Sequence, residues 1–205
     1  GKRDTQGIRF RFPNLSSFHG CSVMRLQSRL LITVVAMFAA AFVGQAHACT
    51  RAVYLGDDGT VITGRSMDWM ADLQSNLWAF PRGITRNGAA GPTAPVWTSK
   101  YGSVIATTYD VGTIDGMNEK GLVVNMLALV ESDYGKPPES TRIICMSTWA
   151  QYILDKHATV AEAVADFKKE NFQVQTVILP TGKPANMHLS IADPTGDSAV
   201  FEYVN

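Results

Sequence analysis

The chain has no net charge: its 18 Lys and Arg residues balance 18 Asp and Glu residues over 205 positions. Without an excess of either sign, nothing overall draws it to nucleic acid or to an acidic membrane surface, so no nucleic-acid partner is expected. It has only three cysteines, too few for a disulfide scaffold, and no CxxC or HExxH spacing that would hold a metal. Its longest apolar run, Leu30 to Val43, covers about 14 residues and falls short of the ~20 that a helix needs to cross a bilayer.

That run instead forms the centre of a secretory signal. Met24 reads as the true start, which makes residues 1–23 an upstream or non-native extension with no sustained helix or strand period. Arg25 and Arg29 supply the positive end, and Ala46-His47-Ala48 places small residues at the two positions a signal peptidase inspects. Residues 24–48 are therefore read as a signal peptide. The product is expected to be periplasmic or secreted, with no stable membrane anchor after cleavage. Lipoprotein processing would acylate the next cysteine, but His47 stands where such sites carry small or apolar residues. Cutting after Ala48 leaves roughly 157 residues, enough for one sizeable core.

The new first residue would be Cys49, carrying a thiol and a free α-amino group. A free thiol ionises near ~8.5 and a chain-terminal amine near ~7.7 to 8.0, so the amine can take the thiol proton around neutral pH. One residue then supplies both nucleophile and base. Cys21 lies before the cut, and Cys145, within Ile143-Ile144-Cys145-Met146, reads as a small core residue. Cys49 is thus unpaired in an exported chain, which points to reactivity or to an intermolecular bond.

Arg51 to Leu55 has strand composition, Gly56-Asp57-Asp58-Gly59 suits a hairpin turn, and Thr60 to Met67 returns as a second strand. An antiparallel return brings Arg65 and Asp68 back beside Cys49. Arg65 would favour a thiolate or hold an anionic part of a ligand, and Asp68 could accept hydrogen bonds from the terminal ammonium. An Arg and an Asp three apart also make an ordinary surface ion pair.

Cys49-Thr50-Arg51, followed by Gly64-Arg65-Ser66-Met67-Asp68-Trp69, resembles the opening of the choloylglycine hydrolase family. That family includes conjugated bile salt hydrolases and penicillin V acylases, N-terminal-nucleophile hydrolases of linear amides. The resemblance places the family nucleophile on Cys49, its arginine on Arg65 and its aspartate on Asp68. It also implies that no cofactor is required, that the partner is a small-molecule amide substrate, and that the assembly is a homotetramer.

Asn76 to Pro81 is similar to the family's next strand, and Asp115-Gly116-Met117-Asn118-Glu119-Lys120-Gly121-Leu122 to its most recognisable hairpin. From the residues alone, Asn118 to Gly121 is a turn, so the motif is read as a fold signature and not as catalysis. Bile salt hydrolases carry an oxyanion-holding asparagine about where this chain has Ala128. Alanine offers no side-chain donor, and a backbone N–H would have to serve. Asn125 falls on the opposite face of the strand from Ala128. Trp69, Met70, Trp78, Phe80 and Met126 are candidates to line an apolar acyl pocket; Trp69 and Met70 are preferred because they follow Asp68. The same residue types at strand spacing also read as plain core.

Beyond Lys136-Pro137-Pro138, Ser147 to Lys156 reads as an amphipathic helix. Thr159-Val160-Ala161-Glu162 has capping-box form and opens a second helix through Phe167. The two are expected to lie together over one face of the sheet. His157 is read as a cap on helix carbonyls and His188 as structural. Gln173 to Leu179, Met187 to Ala192 and Ala199 to Val204 read as strands.

The expected class is α+β, and by resemblance the first part of a four-layer αββα sandwich, apparently truncated at its C-terminal end. The family's later asparagine and arginine have no counterparts in the chain. The function read from this is a cysteine N-terminal-nucleophile amidase. The penicillin V acylase branch is favoured because the bile-salt-type asparagine is missing and an export signal is present. The rivals are an exported non-catalytic binding or lipid-anchored protein using the same pocket, and an inactive fragment of the enzyme. A free or blocked Cys49 amino group separates catalysis from anchoring.

Overall fold

Alternation of side chains along short apolar stretches decides most of the architecture. The computed structural model describes residues 49–69, 71–136, 142–169, 172–179 and 182–204. The extension read over residues 1–23, the signal peptide read over 24–48, and Met70 lie outside them.

The expected hairpin opens the described chain as β1 (Thr50–Leu55) and β2 (Val61–Ser66), antiparallel, with Thr50 opposite Ser66 and Leu55 opposite Val61. Its turn closes as the composition requires. Asp58 Oδ1 accepts from the Thr60 N–H at 2.9 Å, and Gly59 takes φ of 81°, a region where a Cβ would be strained.

The main sheet has six strands: β3 (Leu77–Phe80), β6 (Ser103–Thr108), β7 (Gly112–Asn118), β8 (Val123–Ala128), β11 (Met187–Ala192) and β12 (Ser198–Phe201). They run in the order β12-β11-β8-β7-β6-β3, every pair antiparallel. A separate small ribbon joins β4 (Thr85–Asn87) to β5 (Val96–Thr98).

Helices α1 (Met146–Lys156) and α2 (Val160–Lys169) form the helical pair. α1 covers one face of the sheet. A Cβ on Gly116 of β7 would lie 2.7 Å from Ile105 and 2.8 Å from Leu154 of α1, so only glycine allows this approach. Trp149, Ile153 and Leu154 are fully buried there, each worth about 1.5–3 kcal/mol of transfer free energy. Trp149 meets Phe167 of α2, Phe201 of β12 and Tyr203 edge-on or tilted.

Asn118 locks the β7–β8 turn onto the end of α1. Its Nδ2 donates to the carbonyls of Leu154 and His157, and its Oδ1 accepts from the N–H groups of Lys120 and Leu122. The asparagine of the hairpin motif therefore has a structural task. His157 likewise ends α1 as expected, its N–H bonding Ile153 O at 3.1 Å while Nε2 meets Asp166 at 2.8 Å.

Several boundaries differ from the sequence reading. β10 covers only Phe172–Gln175 and pairs parallel with β9 (Arg142–Cys145), a strand not foreseen. A parallel pair needs a crossover, which the helical pair supplies. The last strand ends at Phe201 and not at Val204, because Tyr203 turns to pack on Trp149 and Tyr134 and gives its carbonyl to Asp133. α2 continues through Lys169, beyond Phe167. Its capping box is offset by one residue: Thr159 Oγ1 accepts from Glu162 N–H, but Glu162 accepts from Ala158 N–H, the residue before the cap. Of the four layers expected, the described residues show the helical layer, the six-stranded sheet and the β1–β2 hairpin on its other face.

Candidate active site

The hairpin presents one face to the sheet. Arg51 and Val53 of β1, and Val61, Thr63 and Arg65 of β2, are partly buried, whereas their neighbours Thr50, Ala52, Ile62, Gly64 and Ser66 are exposed. Cys49 and Met67 continue that inward face beyond the strand ends and are partly buried too. Their sulfurs meet, with Cys49 Sγ 4.0 Å from Met67 Sδ.

Arg65 lies on the far side of Met67. Its Nη1 is 3.1 Å from the thioether sulfur and its Nη2 donates to the carbonyl of Met126. Its Nε stands 3.4 Å from Asp115 Oδ1, an ion-pair distance without hydrogen-bond geometry. The side chain is only 10% exposed. Asp115 Oδ1 also accepts from Asn125 Nδ2 at 2.7 Å, and Asn125 Oδ1 accepts from Arg51 Nε at 2.8 Å. Loss of water raises the Asp115 carboxyl above its ordinary pKa, against the lowering effects of the Asn125 hydrogen bond and the Arg65 charge. Cys49, Met67, Arg65, Asp115, Asn125 and Arg51 thus form one continuous chain of contacts across the two layers.

Asp68 lies just past β2 and is exposed. Trp69 is partly buried, and its Nε1 donates to Tyr109 Oη at 3.1 Å. Ala128 is the exposed last residue of β8, opposite Met187. The following N–H, that of Leu129, is taken by Asn186 O at 3.0 Å.

A mostly apolar cavity of about 250 Å³ lies beside this chain, lined in part by Tyr109, Val111, Met126, Met146, Leu179 and Met187. It joins the site at two points: Met126 gives its carbonyl to Arg65, and Tyr109 takes the Trp69 indole. Trp78 and Phe80, candidates for the same pocket, line a different cavity with Arg86 and Gln151. They sit on edge strand β3, and the two cavities adjoin at Val111, Gly112, Thr113 and Ser147, which line both.

Sequence reasoning passed over Arg51, Asp115 and Asn125. A signal for the last two was present. With Asn118 N–H bonded to Leu122 O across the turn, counting back along both strands sets Asp115 opposite Asn125, as observed.

A family model described as linear amide C–N hydrolases, choloylglycine hydrolase family, matches residues 49–205. A penicillin V acylase from Pectobacterium atrosepticum is 46% identical over 168 residues, covering 77% of this chain and 45% of that protein. The solved structure of penicillin V acylase from Agrobacterium tumefaciens is 50% identical with a TM-score of 0.70, covering 76% of this chain and 46% of that one. A conjugated bile acid hydrolase from Clostridium perfringens shares the fold at 23% identity and a TM-score of 0.63, over 77% of this chain and 48% of the other. The chain spans about half the length of the relatives it matches.

Proposed function

Because the chain belongs to the choloylglycine hydrolase family of linear amide C–N hydrolases, we propose that it acts as a cysteine N-terminal-nucleophile amidase of the penicillin V acylase type, within a four-layer αββα architecture. The observation that carries this reading is the position of Cys49: it stands at the head of β1, on the face shared with the nearly buried Arg65. Identities of 46% and 50% to two penicillin V acylases, against 23% to a bile acid hydrolase, favour the acylase branch. Export and removal of residues 24–48 belong to the same reading, since cleavage after Ala48 frees the α-amino group. The homotetramer remains part of the proposal and is read by light scattering.

In the proposed reaction the Cys49 α-amino group takes the thiol proton and the thiolate sulfur attacks the amide carbonyl. The tetrahedral adduct collapses, the C–N bond breaks, and the leaving amine takes the proton from the terminal ammonium. Water then adds to the thioester with the amine as base, releasing the acid and restoring the thiol. Arg65, adjacent through Met67, supplies positive charge near the sulfur. The apolar cavity beside Met126 takes the acyl group, and a main-chain N–H holds the oxyanion, since Ala128 has no side-chain donor.

The test joins intact mass and N-terminal sequencing of the exported protein to hydrolysis assays on penicillin V and on glycine- and taurine-conjugated bile salts. It applies equally to any longer polypeptide containing this chain. The expected result is Cys49 at the terminus, an acyl adduct on the Cys49 peptide, and faster cleavage of penicillin V. A retained leader or lipidated Cys49 together with no hydrolysis would overturn the amidase reading in favour of an anchored binding protein. Faster cleavage of bile salts would reverse the substrate preference alone.

A further inference from the structure

Arg51 lies directly opposite Arg65 in the β1–β2 ladder and on the same inward face as Cys49, two residues before it. Two guanidinium groups side by side repel one another, and a surface hairpin would turn one of them to solvent. Here both turn inward and converge on a single carboxylate. Arg65 faces Asp115 directly, and Arg51 reaches it through Asn125, which accepts from Arg51 Nε and donates to Asp115 Oδ1. Asn125 is 5% exposed and uses its two ends in opposite senses, a relay that needs an amide.

The charges at this point do not cancel: two cations meet one anion. The arrangement also leaves donors unused. Arg51 Nη2 and Arg65 Nε are buried without a hydrogen-bond partner among the described residues. Buried donors are nearly always paired, so two unpaired ones on adjacent arginines call for a reason. Burial lowers the Arg51 pKa, but a guanidinium stays charged throughout the physiological range. Excess positive charge is therefore held in a water-poor layer at the Cys49 end of the hairpin.

We propose that Arg51 is a positioning residue for the Cys49 thiol: held by Asn125 and, through it, by Asp115, it keeps a second guanidinium beside Arg65 and makes the surroundings of the sulfur cationic. The inference deepens the amidase reading by adding a residue to the nucleophile's electrostatic support, and it rests on Cys49 being that nucleophile. Neighbouring cations stabilise a thiolate and draw anionic reagents to it.

The test compares alkylation of Cys49 by iodoacetate, an anion, with that by neutral iodoacetamide at one pH, with modification located by peptide mass mapping. N-acetylcysteine gives the reference ratio. The wild-type chain is expected to favour the anionic reagent relative to that reference. Arg51→Gln should lower the ratio by about fivefold, the scale of losing one unit charge a few ångströms from the reacting group in a well-screened site. Asn125→Leu, which removes no charge, should lower it in the same direction by freeing Arg51, and the double variant should fall no further than Arg51→Gln. Arg51→Lys should hold most of the wild-type ratio.

An unchanged ratio in Arg51→Gln, additive effects in the double variant, or a Lys variant as impaired as the Gln variant would each overturn the proposal. Should Arg51→Gln fail to fold, Asn125→Leu and Arg51→Lys decide it. The readout needs only the thiol, so the amidase reading can fail in the hydrolysis assay while this one stands, and the reverse.

Discussion

Two carboxylates sit on opposite faces of the same sheet, Asp155 fully buried and Asp115 partly so, and they are finished differently. Asp155 of α1, 1% exposed, is closed on every side: Oδ2 accepts from Arg86 Nε at 3.0 Å and Trp97 Nε1 at 2.7 Å, and Oδ1 accepts from Gln151 at 2.8 Å. Its backbone carbonyl takes the N–H groups of Lys100 and Tyr101 as well. Asp115 on the hairpin face is open: Oδ1 alone meets both Asn125 and Arg65, and Arg51 Nη2 and Arg65 Nε go unused nearby, against Arg86 Nη2 alone among the side chains around Asp155. Satisfied networks make one structure rigid, whereas unsatisfied ones persist where a site needs charge. The first region staples the β4–β5 ribbon to α1, and the second holds charge beside a thiol.

The largest effect that separates them should appear in stability. Asp155→Ala leaves Arg86, Trp97 and Gln151 without their acceptor and is expected to cost about 3–5 kcal/mol, the usual cost of breaking a buried pair from one side. Asp115→Ala removes one hydrogen bond and a 3.4 Å ion pair, and should cost only about 1–2 kcal/mol. Urea midpoints for the two variants check the order. Equal losses would mean that Asp115 is a structural staple like Asp155.

How far each region was legible follows from the kind of information it uses. The hairpin turn, the two helices and the antiparallel return that brings Arg65 toward Cys49 follow from local pattern: turn residues, helical period and strand composition. Asp115 was taken as part of a turn signature, and Asn125 was weighed only against Ala128, so the contact between the layers went unseen. Gln151 and Asp155 occupy what periodicity reads as the polar face of an amphipathic helix, yet both are buried. Only the β4–β5 ribbon, formed by strands of three residues each, brings Arg86 and Trp97 over them. Pairing of β9 with β10 across the helical pair depends on tertiary contact in the same way.

The pH dependence of stability sharpens the comparison next. Burial raises the Asp155 carboxyl, against the lowering effects of Trp97, Gln151 and Arg86. A raised folded-state pKa contributes stability that is fully present below the unfolded carboxylate value and is lost as pH rises through the folded value. Asp155→Asn removes that titration. Its stability relative to wild type should therefore improve with rising pH, starting near the unfolded value of about 3.9, by about 1.4 kcal/mol for each unit of displacement. Urea melts at a series of pH values measure this, and a difference independent of pH would show that burial does not govern the group.

Within the closed region, Trp97→Phe removes one of the three side-chain bonds to Asp155 and leaves the edge-on contact with Tyr152, at 5.1 Å between ring centres, nearly intact. A loss of about 1 kcal/mol is expected, with no change in the ratio of Cys49 alkylation by the two reagents. A changed ratio would couple the two faces through the sheet and remove the distinction between them.

A third carboxylate, outside both regions, should give the smallest effect and isolates what burial contributes. Glu119, in the β7–β8 turn, accepts from Arg82 Nε at 2.5 Å and from the Gly102 N–H at 2.9 Å, pairing again through Arg82 Nη2. Arg82 holds its carboxyl down at about 2, the opposite direction from Asp155 and Asp115. A lowered pKa contributes stability above the unfolded value that is lost as pH falls through the folded one, so the pair's contribution is present at neutral pH and disappears only in acid. Water screens an exposed pair even when its geometry is good. Arg82→Ala should return Glu119 toward the ordinary glutamate range in a carboxyl NMR titration, while the urea midpoint at neutral pH moves less than in Trp97→Phe. A larger shift in midpoint would mean that bond geometry, and not removal from water, sets the strength of these carboxylates, and the contrast between closed and open clusters would then have to be redrawn on geometry alone.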